Sequence, residues 1–369
     1  MGASLQASAG AVQMSLMAFF ITLGLCQLFY GPLSDIVGRK LPILAGLAIF
    51  TVGSIGCAMA PNVDVLIAFR VLQAFGACAG MVVPRAVVRD MYTGHEAARL
   101  MSLLLLVVGI SPILAPLAGS FIIEAWGWRE VFVALAIASV IAFVLAVTQL
   151  PETRPAERRA GSSWLSSLRA YRLLLGDSSF IGLSLVGACG ISAFFVFIGN
   201  APFVYINHFG LSPTVFSLCF ALNAASFFAC SQFTAKLIAR FGMDAVIRYS
   251  VSGFAAVMLL LGVLMTLTTG SLPLMMTLLF IGFGFVGLLL PSTAVLALEE
   301  HGEIAGTASA LMGAIQMVTG AVAMGLTGLF VNDVAVSMAV GIALSAVVAF
   351  VIALFTLNRM RGVVEVSVG

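Results

Sequence analysis

The chain has 369 residues, 62% hydrophobic and only 9% charged, with 17 Lys and Arg against 15 Asp and Glu, and its mean hydropathy is +1.16. An ordinary soluble domain carries roughly 25% charged residues, so a water-soluble globular fold is excluded. The net charge of +2 is spread over many short loops and leaves no basic patch for nucleic acid.

Apolar runs of about 20 residues recur from end to end, the length an α-helix needs to cross the hydrocarbon core. Alternating barrel strands are absent, so the spans are helices. Eleven are predicted, over residues 12–33, 41–60, 65–85, 98–122, 130–149, 177–203, 213–235, 245–267, 273–297, 304–330 and 335–357. The first ten residues carry no cation and do not read as a signal peptide, so the first span is expected to insert as part of the mature chain. All six cysteines fall inside apolar runs and read as small buried hydrophobes rather than a disulfide framework.

Between the first two spans lies Gly31-Pro32-Leu-Ser-Asp35-Ile-Val-Gly38-Arg39-Lys40, read as a polar turn over residues 34–40. Asp35 is placed to pair with a cation or cap the neighbouring helix, and the glycines to let two helices approach and turn. In the third span Ala68-Phe-Arg70-Val-Leu-Gln73 sets an arginine inside an apolar helix, with Gln73 one turn on along the same face. An intramembrane Arg costs about 2.5–3.5 kcal/mol on insertion scales and faces a partner or an aqueous cavity, unless it snorkels to the headgroups. The fourth span holds Gly109-Ile-Ser-Pro112-Ile-Leu-Ala-Pro116-Leu-Ala-Gly119, prolines that bend a helix and glycines that let it pack. Trp126-Gly-Trp128-Arg129 then reads as an interfacial aromatic anchor.

Residues 151–176, with Pro-Glu-Thr-Arg-Pro, Glu-Arg-Arg and several serines, read as a linker. It divides a bundle of five spans over 1–150 from one of six spans over 177–369. If the 34–40 turn is cytoplasmic, alternate loops hold 15 of the 17 cations, the exceptions being Arg129 outside and Arg70 within a span. The positive-inside rule then puts the linker and the C-terminus in the cytoplasm.

A faint duplication relates the bundles. Glu96-Ala-Ala-Arg-Leu-Met-Ser102 matches Glu303-Ile-Ala-Gly-Thr-Ala-Ser309, and Gly80 and Pro84 match Gly287 and Pro291, all 207 positions apart. Gly31–Gly38 matches Ala235–Gly242, where Ala239 stands in the place of the aspartate. Two-bundle transporters are built from such parallel repeats. On this offset the span at 177–203 has no partner in the first bundle, so the expectation is a fold of twelve helices lacking its first. A natural eleven-span protein is the alternative.

The stretch Gly31–Lys40 resembles the loop signature after the second helix of the major facilitator superfamily. Gly24-Leu-Cys-Gln27-Leu-Phe-Tyr30 before it resembles the Bcr/CflA branch, the drug:proton antiporters of bicyclomycin and chloramphenicol resistance. The resemblance covers nearly all of residues 1–360. It implies an all-α membrane fold of two bundles in the bacterial inner membrane, and export of small amphipathic drugs such as bicyclomycin or chloramphenicol by alternating access. It also implies a cytoplasmic gating motif of Gly31, Pro32, Asp35, Gly38, Arg39 and Lys40, and proton coupling at Arg70 and Gln73. The fourth-span motif of Gly109, Pro112, Pro116 and Gly119 resembles the antiporter signature, with Ala115 and Ser120 departing from the general pattern. Gln27, Phe194, Phe197 and Asn200 are candidates to line a substrate cavity, against a packing role. Energy would come from the proton gradient with no cofactor, and a monomer is expected.

No metal site is expected from His95, His208 and His301, which lie in or near loops without ligand spacing. No phosphate loop or nucleophile arrangement supports an enzyme. The alternatives kept open are a metabolite carrier for sugars or amino acids, exporter or symporter, and a non-transporting remnant. The spans contain no mid-membrane Asp, Glu or His to carry a proton, so the chain as given is expected to export poorly.

Overall fold

A computed structural model describes residues 2–92, 94–159, 163–267, 270–330 and 333–368. Twelve helices longer than one turn or two order the fold among these residues: α1 (Ala9–Val37), α2 (Lys40–Met59), α3 (Val63–Met91), α4 (Gly94–Trp126), α5 (Trp128–Gln149), α6 (Trp164–Gly176), α7 (Ser178–Pro202), α8 (Pro213–Phe241), α9 (Met243–Leu267), α10 (Leu272–Glu299), α11 (Ala305–Phe330) and α12 (Val334–Val368). Ten of them are long and apolar enough to cross a membrane, and α4 contributes the shorter apolar stretch Ile110–Trp126. The eleven predicted spans correspond to α1–α5 and α7–α12, and the protein is a multi-pass membrane protein.

The chain divides into two units, Met1–Tyr171 and Arg172–Gly369. In the first, α3 packs along α1 and α2, and α5 along α2. Small residues bring α2 and α3 together: a Cβ on Gly53 would lie 2.6 Å from the Gln73 backbone nitrogen, and one on Gly46 2.9 Å from the Gly76 carbonyl. In a membrane such approach lets van der Waals contact hold helices that gain nothing from hydrophobic exclusion. In the second unit α7 is central, packed against α10, α11 and α12, with α9 on α10 and α12, and α8 on α10. The packing inside the two units repeats: α1 with α3, α2 with α3 and α2 with α5 recur as α8 with α10, α9 with α10 and α9 with α12. Gly38 (φ 97°) and Gly242 (φ 81°) each end the first helix of their series in the left-handed region open to glycine.

One expectation is corrected. The polar turn predicted over 34–40 is shorter, because α1 stays helical to Val37 and only Gly38 and Arg39 separate it from α2. Pro32 does not break the helix. A proline at this position orphans the carbonyl four residues back, and the Tyr171 hydroxyl donates to that Leu28 carbonyl at 3.0 Å. Burial pushes the Tyr171 phenol up to about 12, so it remains a donor. The residues read as a linker contain the 13-residue helix α6 and a turn of helix at Ala156–Arg159.

Candidate functional site

The α1–α2 turn carries the densest set of ionic contacts among the described residues. Arg39 is nearly fully buried, and each of its three guanidinium nitrogens has a partner. Nε donates to Asp90 Oδ2 at 2.7 Å, Nη1 to Ser34 Oγ at 2.6 Å, and Nη2 pairs with Asp35 Oδ1 at 2.8 Å. Asp35 also meets Arg154 Nη1 at 3.3 Å. Burial works against the Arg39 charge, yet the hydrogen bond to Asp90 and the charges of Asp35 and Asp90 outweigh it and hold the guanidinium above its ordinary value.

Glu152 completes the cluster from the linker. Its two oxygens accept from the backbone N–H groups of Arg39 (2.8 Å) and Lys40 (3.3 Å), capping the N-terminus of α2, and Oε1 also accepts from Arg154 N at 2.9 Å. Arg159 Nη2 lies 3.5 Å from Oε2. Burial tends to raise this carboxyl, but the three N–H donors and the Arg159 charge hold it below its ordinary value. Gly38 has no room for a side chain, since an added Cβ would strike Glu152 and Arg159. Lys40 donates from Nζ to the Val147 carbonyl at 2.9 Å.

Of the residues read as a gating motif, Asp35, Gly38, Arg39 and Lys40 therefore meet in one network. Gly31 and Pro32 sit within α1, and a side chain at Gly31 would meet no atom within 4 Å, so Gly31 is not a close-approach position. Sequence reasoning missed Asp90 at the end of α3 and the roles of Glu152 and Arg154. Their signal was present in Arg89-Asp90, the acid that closes the third span, and in Pro-Glu-Thr-Arg.

The second constellation lies within the membrane-spanning part of the first unit. Arg70 Nη1 donates to Gln73 Oε1 at 2.6 Å, and Gln73 Nε2 donates to Ser54 Oγ at 2.7 Å. The guanidinium lies over the Phe19 ring, 4.1 Å from its centroid, with Phe132 at 5.8 Å. Gln73 is fully buried, which the bare Gly53 backbone beside it makes possible. Ser54 orients the amide so that its oxygen faces the cation. No carboxylate pairs with Arg70 among the described residues, so its charge rests on an amide oxygen and aromatic faces.

Other predicted residues are placed differently. Pro112 and Pro116 are half-buried in α4, and a side chain at Gly119 would meet nothing within 4 Å, so this glycine does not serve close packing. Gly109 is helical, and its surroundings lie outside the described residues. Gln27 is buried, its Nε2 4.0 Å from Met81 Sδ. Phe197 and Asn200 are fully buried in the second unit. Phe197 stacks on Phe220 at 5.3 Å and meets Phe283 edge-on at 5.3 Å, while Phe194 packs half-buried on the same rings. Asn200 donates to the Val196 carbonyl and to Thr327 Oγ1. Neighbouring aromatics from α8 and α10 supply the rings that convert this stretch of α7 into core.

A cavity of about 390 Å³ does open between α7, α11 and α12. Of the five hydroxyl residues that line it, Ser192, Thr327 and Ser345 donate to carbonyls of their own helices, and most of the wall is hydrocarbon. At the start of α7, Asp177 accepts from Ser179 and Phe180 N–H and pairs with His301 Nε2 at 2.9 Å. Burial tends to raise that carboxyl, and the His301 hydrogen bond with the two N–H donors draws it below its ordinary value.

The family model of the Major Facilitator Superfamily matches residues 1–324. The chain is 36% identical over 333 residues to the uncharacterized MFS-type transporter YdgK of Bacillus subtilis (strain 168), spanning 88% of this chain and 81% of that protein. It is 31% identical over 340 residues to the multidrug resistance protein D of Escherichia coli (strain K12), spanning 89% and 82%. It is 32% identical over 262 residues to a chloramphenicol resistance protein of Pseudomonas aeruginosa, spanning 70% and 61%. Among solved structures, the nucleoside transporter NupG (D323A mutant) superposes with a TM-score of 0.72 at 15% identity, over 97% of this chain and 92% of that one, a likeness of fold alone. With its two helical units, its network at the α1–α2 turn and these relatives, the chain belongs to the major facilitator superfamily, in its Bcr/CflA-like branch, and is a secondary transporter rather than an enzyme.

Proposed function

We propose that this transporter exports small amphipathic drugs from the cytoplasm across the bacterial inner membrane, in exchange for protons, by alternating access. The observation that carries the reading is the Asp35–Arg39–Asp90 network in a chain whose relatives are named for drug resistance. A transporter that alternates needs contacts at the end of its helices that hold in one state and open in another. An ion network at a two-residue turn, open to water at Asp35, has that character. The cation-rich side of the chain, with the linker and the C-terminus, is cytoplasmic in this reading. Chloramphenicol and bicyclomycin are the first substrates to try.

Arg70, Gln73 and Ser54 are the polar set within the span that supports proton coupling. The cation is held in place by groups that cannot neutralise it. A carboxylate approaching it would be kept ionised, and loss of that approach would let the acid take up a proton. The proton gradient supplies the energy, and the transporter works as a monomer.

Inverted vesicles carrying the protein test the reading. Under an imposed gradient, adding chloramphenicol is expected to release protons from the vesicle lumen. Proton movement in the same direction as the substrate would replace antiport by symport, and no drug-dependent movement would overturn the reading.

A further inference from the structure

We infer that the groove between α11 and α12 is a phospholipid site, which takes one acyl chain along its length and the ammonium of an amine headgroup at Asp333. α11 and α12 each pack along α7 and only lightly on each other. They touch at Gly341, where a Cβ would strike the Thr327 side chain. Beside that contact lies the cavity of about 390 Å³, floored by Cys189 and Ser192 of α7 and rimmed by Leu326, Val340 and Leu344. The two floor residues are buried, whereas Leu344 is 63% exposed, Leu326 46% and Val340 39%, so the cavity opens to the side of the helices.

Medium, length and charge select the occupant. All three helices are long and apolar enough to cross a membrane, so the open side faces acyl chains. Water needs two to four polar partners, and Ser192, Thr327 and Ser345 already donate within their own helices. An empty groove would forfeit dispersion contacts along its wall. On α12 the lining runs from Ser337 to Val348, which at a rise of about 1.5 Å per residue is about 16 Å, close to half of a roughly 30 Å hydrocarbon core and so to one leaflet. Asp333 stands one turn before Ser337, exposed, and caps α12 by accepting from the Ala335 and Val336 N–H groups at 2.8 and 3.4 Å. The other charged residues of the second unit sit at the opposite end of its helices: Lys236 and Arg240 close α8, Asp244 and Arg248 open α9, and Arg248 reaches Asn358 late in α12. Asp333 is thus the one Asp, Glu, Lys or Arg at its end of this unit among the described residues. A negative charge alone at the mouth of the groove attracts an ammonium and repels an anionic headgroup.

The test is native mass spectrometry of the full chain in detergent, stripped of lipid and then incubated with dioleoyl phosphatidylethanolamine or dioleoyl phosphatidylglycerol. One phosphatidylethanolamine is expected to stay on each chain, and phosphatidylglycerol to be retained severalfold less. Asparagine caps a helix about as well as aspartate, so Asp333→Asn should fold normally and bring the two lipids level. Ala323→Phe, which puts a ring into the groove, should remove retention of both. In the unaltered chain phosphatidylethanolamine should also raise the thermal melting midpoint, and that rise should vanish in Asp333→Asn. Equal retention of the two lipids by the unaltered chain would overturn the proposal. So would retention of phosphatidylethanolamine that neither substitution reduces, or its displacement by equimolar chloramphenicol, which would assign the groove to a drug.

Discussion

Asp90→Asn separates the two acids that hold Arg39. In the folded chain the Asp90 side chain is 18% exposed and the Arg39 side chain 5%, against 43% for Asp35. Asparagine can still accept from Nε, so the loss is the charge component of the contact. Hydrogen bonds to charged groups are worth about 1.5–3 kcal/mol and neutral ones about 0.5–1.5, which puts the cost near 1–2 kcal/mol. Asp35 meets Arg39 as an i,i+4 pair and Arg154 at 3.3 Å, both open to solvent at Asp35, where an i,i+4 pair contributes about 0.3–0.5 kcal/mol and another exposed pair about 0.2–1 kcal/mol. Asp90→Asn is therefore expected to destabilise more than Asp35→Asn, and to shift any equilibrium that breaks the network by about 5–30-fold. Thermal unfolding of the purified protein in detergent, followed by a thiol-reactive dye as the buried Cys57 and Cys78 become accessible, measures the first effect. Drug resistance of a sensitive host measures the second. A melting midpoint for Asp90→Asn equal to wild type, or an Asp35→Asn variant that melts lower, would refute the reasoning.

Arg70→Ala removes the cation and its contacts to Gln73 and Phe19, and should leave drug movement in vesicles insensitive to the proton gradient; unchanged gradient dependence would return Arg70 to a purely structural role. Phe197→Ala deletes a fully buried ring and should cost about 3–5 kcal/mol, read as a lowered melting midpoint; a changed drug spectrum at unchanged stability would instead put Phe197 on the substrate path. Gly38→Ala forces a left-handed backbone on a residue with a Cβ that would displace Glu152 and Arg159, so it should abolish resistance while Gly31→Ala, with open space around it, stays near wild type in the same host. Glu152 and Asp177 have depressed carboxyl values, so their contribution to stability is present above the ordinary carboxylate range of about 4 and is lost as pH falls through the lower folded values. The melting midpoint should accordingly stay flat from neutral pH to about 5 and fall only below about 4.

The spans were legible because a helix in lipid must be apolar over a length set by the bilayer, and nothing else in the chain competes with that signal. Arg70 and Gln73 could be paired from their spacing alone, since three residues on a helix return to one face. The partners of Arg39 could not. Asp35 was visible as its neighbour on one helix, whereas Asp90 and Glu152 lie 51 and 113 positions away from it and meet it only because α3 packs on α1 and α2 and the linker folds back to the turn. Phe197 shows the same limit from the other side. A run of phenylalanines reads alike whether it faces substrate, lipid or core, and rings brought by α8 and α10 decided that it is core. A multi-pass helical protein, a polar junction between its first two spans and the arginine in its third span could be read from local composition and helical period alone. Which acids hold Arg39 and how Pro32 is accommodated were decided by tertiary structure, because each depends on contacts between segments far apart in the chain.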